Sequence, residues 1–183
     1  MKSNPKFSDV NRTFKGRVLP DRVQSMPVPY AFAIRRIVGG PFPKVPRNFW
    51  SLKMAKEIRL PCNFEIPTQD FGLPDKSQMV NGVREVLLRL AMDENVFVGC
   101  AGGIGRTGTF LGCLVRATGE PKPIAYVRRH YLRGAIETEA QEDFVMNFPT
   151  MRWYFARCCV LAWVFDRFSR ITAYPVAKVL RLR

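Results

Sequence analysis

The short apolar run at residues 95–99, Asn-Val-Phe-Val-Gly, leads without a turn signal into Cys100-Ala101-Gly102-Gly103-Ile104-Gly105-Arg106-Thr107. An apolar run of this length, bounded by polar residues, has the signature of a strand buried on both faces, as in a parallel sheet. Residues 104–118 then have the composition of a buried helix closed by Gly119, so strand, glycine-rich loop and helix follow one another directly. Upstream, Met79, Val80, Val83, Val86, Leu87 and Leu90 recur at three and four residues, which predicts an amphipathic helix over residues 77–92. Residues 30–38 read as a strand ended by the turn signal Gly39-Gly40-Pro41. Residues 48–56 read as a short helix, and residues 57–66 as an extended segment that Pro61 confines to an edge or divides in two. Further helices are expected from Pro123 to about residue 132, over 137–147 and over 151–168. The alternation implies an α/β fold with a mainly parallel central sheet flanked by helices.

A chain of 183 residues suits one domain with a substantial core. Residues 30–168 are its expected extent, with a basic extended arm at 1–29, where Pro20, Pro27 and Pro29 disfavour regular structure, and a basic tail at 169–183. The net charge of +14 lies toward the two ends of the chain: residues 1–60 carry 13 Lys and Arg against 3 acids, 61–146 carry 9 against 11, and 147–183 carry 7 against 1. Such flanks attract nucleic acid or an anionic surface, although no nucleic-acid-binding signature accompanies them and a solvated surface is the simpler expectation. Five cysteines without a CxxC, beside the single histidine His130, support neither a zinc site nor a disulfide framework. Without a signal-type apolar segment at the amino terminus, and with Arg157 breaking the longest apolar stretch, a cytoplasmic setting without a transmembrane segment is expected. Trp153, Phe155, Cys159, Trp163 and Phe165 make the last helix too aromatic to stand free. Packing on the domain is expected, with an oligomer contact, or membrane-surface association through Arg152, Arg157, Arg167 and Arg170, as the alternative.

A cysteine six residues before an arginine is a weak signal in a chain with 20 Arg, but Gly102, Gly103, Gly105 and Gly108 surround this pair in a chain that has only 13 Gly. A phosphate dianion is held best by several converging backbone N–H groups, which demands a tight loop with unusual dihedrals and few Cβ atoms. A helix opening at Gly105 or Arg106 adds the positive end of its dipole. The same field and the nearby Arg106 favour the thiolate of Cys100, since a free cysteine near pKa 8.5 is mostly protonated at neutral pH. The guanidinium of Arg106 offers a planar fork for two phosphoryl oxygens, and the Thr107 hydroxyl is expected to donate to the sulfur. Residues Ala101 to Arg106 are thus the candidate phosphate cradle. Cys113, Cys158 and Cys159 read as core residues, and His130 as a surface residue.

The segment Gly99-Cys100 through Arg106-Thr107-Gly108 resembles the C-x5-R-[ST] signature of the protein tyrosine phosphatase superfamily, in the style of its compact dual-specificity members. Ile66-Pro67-Thr68-Gln69-Asp70-Phe71-Gly72-Leu73-Pro74 resembles the general-acid loop of that family, and residues 133–145 resemble the downstream segment whose glutamine, here Gln141, helps position water. The resemblance implies catalysis without metal or cofactor, with Cys100 as nucleophile, Asp70 as acid and then base, Asp75 as its rival, and Arg106 with the loop amides holding the phosphoryl group. Family members usually carry histidine immediately before the cysteine, where this chain has Gly99. The resemblance also implies hydrolysis of phosphorylated protein side chains, phosphotyrosine with or without phosphoserine and phosphothreonine. The lack of charge between Cys100 and Arg106 argues against inositol lipids. Two alternatives are an RNA 5′-phosphatase or triphosphatase using the same chemistry, suggested by the basic flanks, and a non-catalytic phosphate-binding module.

Overall fold

A computed structural model describes residues 13–30 and 33–180. Among them the chain runs through β1 (Thr13–Phe14), β2 (Arg17–Val18), β3 (Gln24–Tyr30), β4 (Ala33–Pro41), a 3-10 turn (Phe42–Lys44), β5 (Trp50–Ala55) and β6 (Phe64–Thr68). It continues through α1 (Lys76–Ala91), β7 (Val96–Cys100), α2 (Gly105–Thr118), α3 (Pro123–His130), α4 (Glu139–Met146) and α5 (Arg152–Leu180). Expectations for residues 1–12 and 181–183, and for the side chains of Phe165 and Arg170, fall outside the described residues.

One five-stranded sheet has the order β3-β4-β7-β5-β6, and β1 pairs with β2 in a separate hairpin. β4, β7, β5 and β6 are mutually parallel and β3 is antiparallel to β4, so the chain adopts the mainly parallel α/β architecture that its pattern implies. The apolar run becomes the central strand β7, buried at every position. Successive side chains of a strand point to opposite faces. Val96 and Val98 therefore join Met79, Val83, Leu87 and Leu90 of α1 and Phe110, Leu111 and Leu114 of α2 in the main core, together with Leu52, Met54 and Ile66. Phe97 faces the other way and packs with Val38, Phe42, Val23, Phe14 and Leu19 in a smaller cluster. Helix ends follow local chemistry. The Asp75 carboxylate accepts the Gln78 N–H at 2.9 Å at the start of α1, and α2 stops at Gly119 in the left-handed region, φ 105°.

Four sequence expectations change. Residues 48–56, rich in the good helix formers Leu, Lys, Met and Ala, form strand β5 because they lie between β7 and β6, where pairing and burial outweigh weak local propensity. The arm expected to run to residue 29 is folded from residue 13 onward: β3 is an edge strand that tolerates Pro27 and Pro29, while Val23, Met26 and Val28 are wholly buried. The Gly39-Gly40-Pro41 turn signal lies within β4, where the glycines admit close neighbours. The domain boundary expected at residue 168 falls inside α5, whose helix continues through residues 169–180 of the supposed tail.

Candidate active site

Parallel strands present their carboxyl ends at one edge of a sheet, and ligands of open α/β sheets bind there. At that edge β7 ends on Cys100, β6 on Thr68 shortly before Asp70, β4 on Pro41, and β5 on Ala55 two residues before Glu57. The loop after Cys100 turns back over the end of β4. Gly103 has φ +73°, and a Cβ on it would overlap the Gly40 carbonyl carbon and come within 2.6 Å of Pro41 N, so this position needs glycine for both conformation and space.

The sulfur of Cys100, 3% exposed, accepts a hydrogen bond from Gly103 N–H at 3.2 Å. Arg106 opens α2 and is 2% exposed. Its Nη1 donates to Glu57 Oε2 and to the Thr68 carbonyl, both at 2.9 Å, while Nη2 donates to Glu57 Oε1 at 2.6 Å and pairs with Asp70 Oδ1 at 2.9 Å. This fork aims the guanidinium along the sheet edge. Hydrogen bonding from Arg106 holds the Glu57 carboxyl below its usual range despite some burial. Asp70, largely exposed, is thus joined to the residue that follows the loop. Asp75 is tied up otherwise: as the α1 cap it binds Ser77 Oγ and Gln78 N–H, and these bonds depress its pKa, the wrong direction for a proton donor.

Gln141 is fully buried beside the loop, where its Oε1 accepts Glu137 N–H at 2.9 Å. The Glu137 carboxylate lies against Gly105, in the space a Cβ there would fill, and burial pushes its pKa up while the Gly105 amide and Arg106 oppose the shift. The Thr107 hydroxyl does not bond the sulfur; Gly103 N–H supplies that contact. Thr107 Oγ1, Arg106 Nε and Gln141 Nε2 are buried atoms around the loop that lack a protein partner. Such atoms are costly to bury unless a ligand or water satisfies them. Among the described residues no cluster of three or more His, Cys, Asp or Glu is arranged to hold a metal ion.

Two further residues at the site escape sequence reasoning. Glu57 carries no local signal, because its role depends on where β5 ends. Tyr131 is adjacent to His130, yet it is the residue that reaches the loop: its buried hydroxyl donates to the Gly103 carbonyl at 2.6 Å. Its ring occupies the room left by Gly39, whose Cβ would lie 2.9 Å from it. Burial and the proximity of Cys100 raise the Tyr131 pKa well above the usual phenol value, so it remains a donor. His130 instead lies tilted against Tyr126, with the ring centroids 4.4 Å apart. Tyr131→Phe should strand the Gly103 carbonyl and cost about 1–3 kcal/mol of stability in denaturant unfolding. Unchanged stability would show that the carbonyl finds another donor.

Gly99 also has a packing explanation. A Cβ there would lie 2.8 Å from the Gly40 carbonyl oxygen, 2.8 Å from the Phe97 ring and 3.0 Å from Phe42 Cα. The approach of β4 and the Phe42 turn leaves no space for any side chain before Cys100.

These features agree with comparisons to known proteins. Residues 46–145 match the family described as PTP-SAK, Swiss Army Knife protein, DSP-PTPase phosphatase domain. The uncharacterized proteins MJ0215 and MJECL20 of Methanocaldococcus jannaschii are 35% identical over 103 residues and 40% identical over 108 residues; the alignments cover 56% and 57% of this chain and 64% and 74% of those proteins. The chain thus spans somewhat under two thirds of the length of the first of them. Among solved structures, the kinase associated phosphatase (KAP) superposes with a TM-score of 0.52 at 17% identity, covering 69% of this chain and 93% of that one, a likeness of fold. Tk-PTP in its active form superposes with a TM-score of 0.49 at 23% identity, over 58% of this chain and 80% of that one. With more than half of its residues matched by the family's domain, this chain belongs to the DSP-PTPase family of the protein tyrosine phosphatase superfamily, in its Swiss Army Knife form.

Proposed function

We propose that the domain hydrolyses phosphate monoesters on protein side chains, phosphotyrosine foremost, through a phosphocysteine intermediate. The observation that carries this reading is the Cys100 sulfur set at the mouth of a glycine loop whose following residue, Arg106, is held by Glu57 and Thr68 and bonded to Asp70. In the first step the Cys100 thiolate attacks phosphorus and the bond from phosphorus to the leaving oxygen breaks. Asp70 delivers its proton to that oxygen. In the second step water attacks the phosphocysteine, its proton passes to Asp70, and the sulfur–phosphorus bond breaks to release inorganic phosphate. Arg106 and the loop amides from Ala101 to Arg106 hold the equatorial oxygens in both steps. Gln141, whose amide oxygen lies near Gly105 and whose buried amide nitrogen has no protein partner, suits a water-orienting role. Phe71 and Leu73, both well exposed on the acid loop, offer an apolar surface to an aromatic substrate ring.

Turnover of a phosphotyrosine peptide, a phosphoserine peptide and 5′-triphosphorylated RNA by the purified chain tests the reading. Phosphotyrosine should be preferred. Activity on RNA alone would move the function to the alternative suggested by the basic flanks, and no turnover of any of the three would leave a phosphate-binding module. Asp70→Asn should slow phosphotyrosine hydrolysis by about 10²–10⁴-fold, the range of a lost general acid. The loss should shrink for an aryl phosphate whose leaving group needs no proton; an equal loss for both substrates would assign Asp70 a structural part instead.

A further inference from the structure

Helix α5 divides into two faces. Cys158, Cys159 and Ala162 are buried, while Met151, Tyr154 and Phe155 pack against the main core. The Tyr154 hydroxyl donates to the Arg84 carbonyl at 3.1 Å. The only acid in the helix, Asp166, turns to the same side and pairs with Arg35 at 3.0 Å. The opposite face carries Trp153, 88% exposed, with Val160 at 57%, Trp163 at 53% and Leu161 at 43%. Arg152, Arg157 and Arg167 are exposed among them. Positions 153, 156, 157, 160, 163 and 167 recur at three- and four-residue spacing, so these residues form one continuous stripe. It combines two tryptophans, an alanine, a valine and two arginines with no acid, and Arg152 and Leu161 flank it.

We infer that this stripe of α5 is a docking surface for an anionic lipid bilayer, on which the helix lies in the plane of the interface. A helix with an apolar, tryptophan-bearing face interspersed with arginine is suited to the boundary between headgroups and acyl chains. There the indole is apolar in body with a polar N–H, and arginine stems run along apolar surface while their heads reach lipid phosphates. Charge complementarity selects the occupant: the sole carboxylate of α5 pairs with Arg35, so the outward stripe of the helix carries arginines and no carboxylate. RNA would be met by the same arginines, but it gains little from Val160 and Leu161. Among the described residues no helix is long and apolar enough to cross a membrane, so the association is peripheral. Geometry leaves the catalytic mouth open, because α5 begins beside Arg84 in the middle of α1 and reaches Arg35 and the far end of α1, whereas Cys100 and Asp70 lie at the opposite sheet edge.

The experiment is co-sedimentation of the full chain with vesicles of phosphatidylcholine and phosphatidylglycerol in equal parts, with vesicles of phosphatidylcholine alone as the reference. Binding to the anionic vesicles should be stronger by about tenfold or more, fall as salt is raised, and shift tryptophan emission to the blue while protecting it from iodide quenching. The double variant Trp153→Ser/Trp163→Ser should lose about tenfold in vesicle affinity yet hydrolyse a soluble phosphopeptide at the wild-type rate, which also reports that it is folded. If that variant fails to fold, Arg157→Ser/Arg167→Ser should give the same loss. Equal binding to both vesicle types would overturn the inference, as would quenching unaffected by vesicles or a stripe variant that binds as well as wild type. Release of the chain from vesicles by RNA competing through the same stripe, or a self-association that the stripe variants abolish in place of vesicle binding, would reassign the surface.

Discussion

Cys100→Ser is expected to lower turnover of a phosphotyrosine peptide by at least about 10⁴-fold, the scale at which removal of a covalent nucleophile acts. A serine hydroxyl at this position is un-ionised at neutral pH and has no general base to activate it. Little else should change. The oxygen can still accept the Gly103 N–H that the sulfur accepts at 3.2 Å, and Arg106 with the loop amides still faces the phosphoryl group. The variant should therefore bind phosphopeptide at least as tightly as the wild type while failing to release phosphate, which fluorescence anisotropy and phosphate detection would read separately. A residual rate within tenfold of the wild type would mean that the sulfur is not the attacking atom.

Arg106→Lys should lower turnover by about 10³-fold although it preserves the charge. The guanidinium fork gives one arm to both Glu57 Oε2 and Thr68 O and the other to Glu57 Oε1 and Asp70. A lysine ammonium, with three N–H donors and no planar fork, can neither keep these contacts nor offer the phosphoryl group the Nε–H that the guanidinium still has free. Stability should suffer much less than catalysis. Glu57 and Asp70 have side chains 48% and 63% exposed, so water can take over their solvation, and the main deficit is one donor to the buried Thr68 carbonyl, about 1–3 kcal/mol. The acid limb of stability should also change. Arg106 lowers the Glu57 pKa, so the pair stabilises the fold at neutral pH, and that contribution is lost as pH falls through the lowered value. In the variant this dependence should be weaker in pH-resolved unfolding, because the bidentate hydrogen bonding is lost while a positive charge remains. A fall in turnover of tenfold or less would show that charge alone suffices at this position.

The site was unevenly legible in the sequence. Cys100, Arg106 and the glycines are contiguous, and a phosphate cradle requires them to be so; hence a local pattern reveals them. Asp70 lies thirty residues upstream, marked in the sequence by its likeness to a family loop. The structure separates it from Asp75 by giving the latter a helix to cap. Glu57 and Tyr131 bear on the same loop from β5 and from the end of α3, and no local pattern marks them because each acts through one long-range bond. Gly99 read as a missing histidine, whereas its neighbours show a backbone crossing with no space for a side chain.

What the sequence by itself determined is whatever depends on neighbours along the chain. That includes the apolar run that becomes β7, the three- and four-residue period of α1, the glycine loop with its cysteine and arginine, and from these the α/β class. Only the tertiary structure decided what depends on the environment. Trp50–Ala55 became a strand because it had two strands to pair with, residues from 24 onward joined the sheet because β4 had a free edge, and Glu57 reached Arg106 because β5 and β7 run parallel and end together. Local propensities amount to tenths of a kcal/mol per residue, while burial and pairing in a sheet contribute more at each position, so the second kind of information overrides the first wherever they disagree.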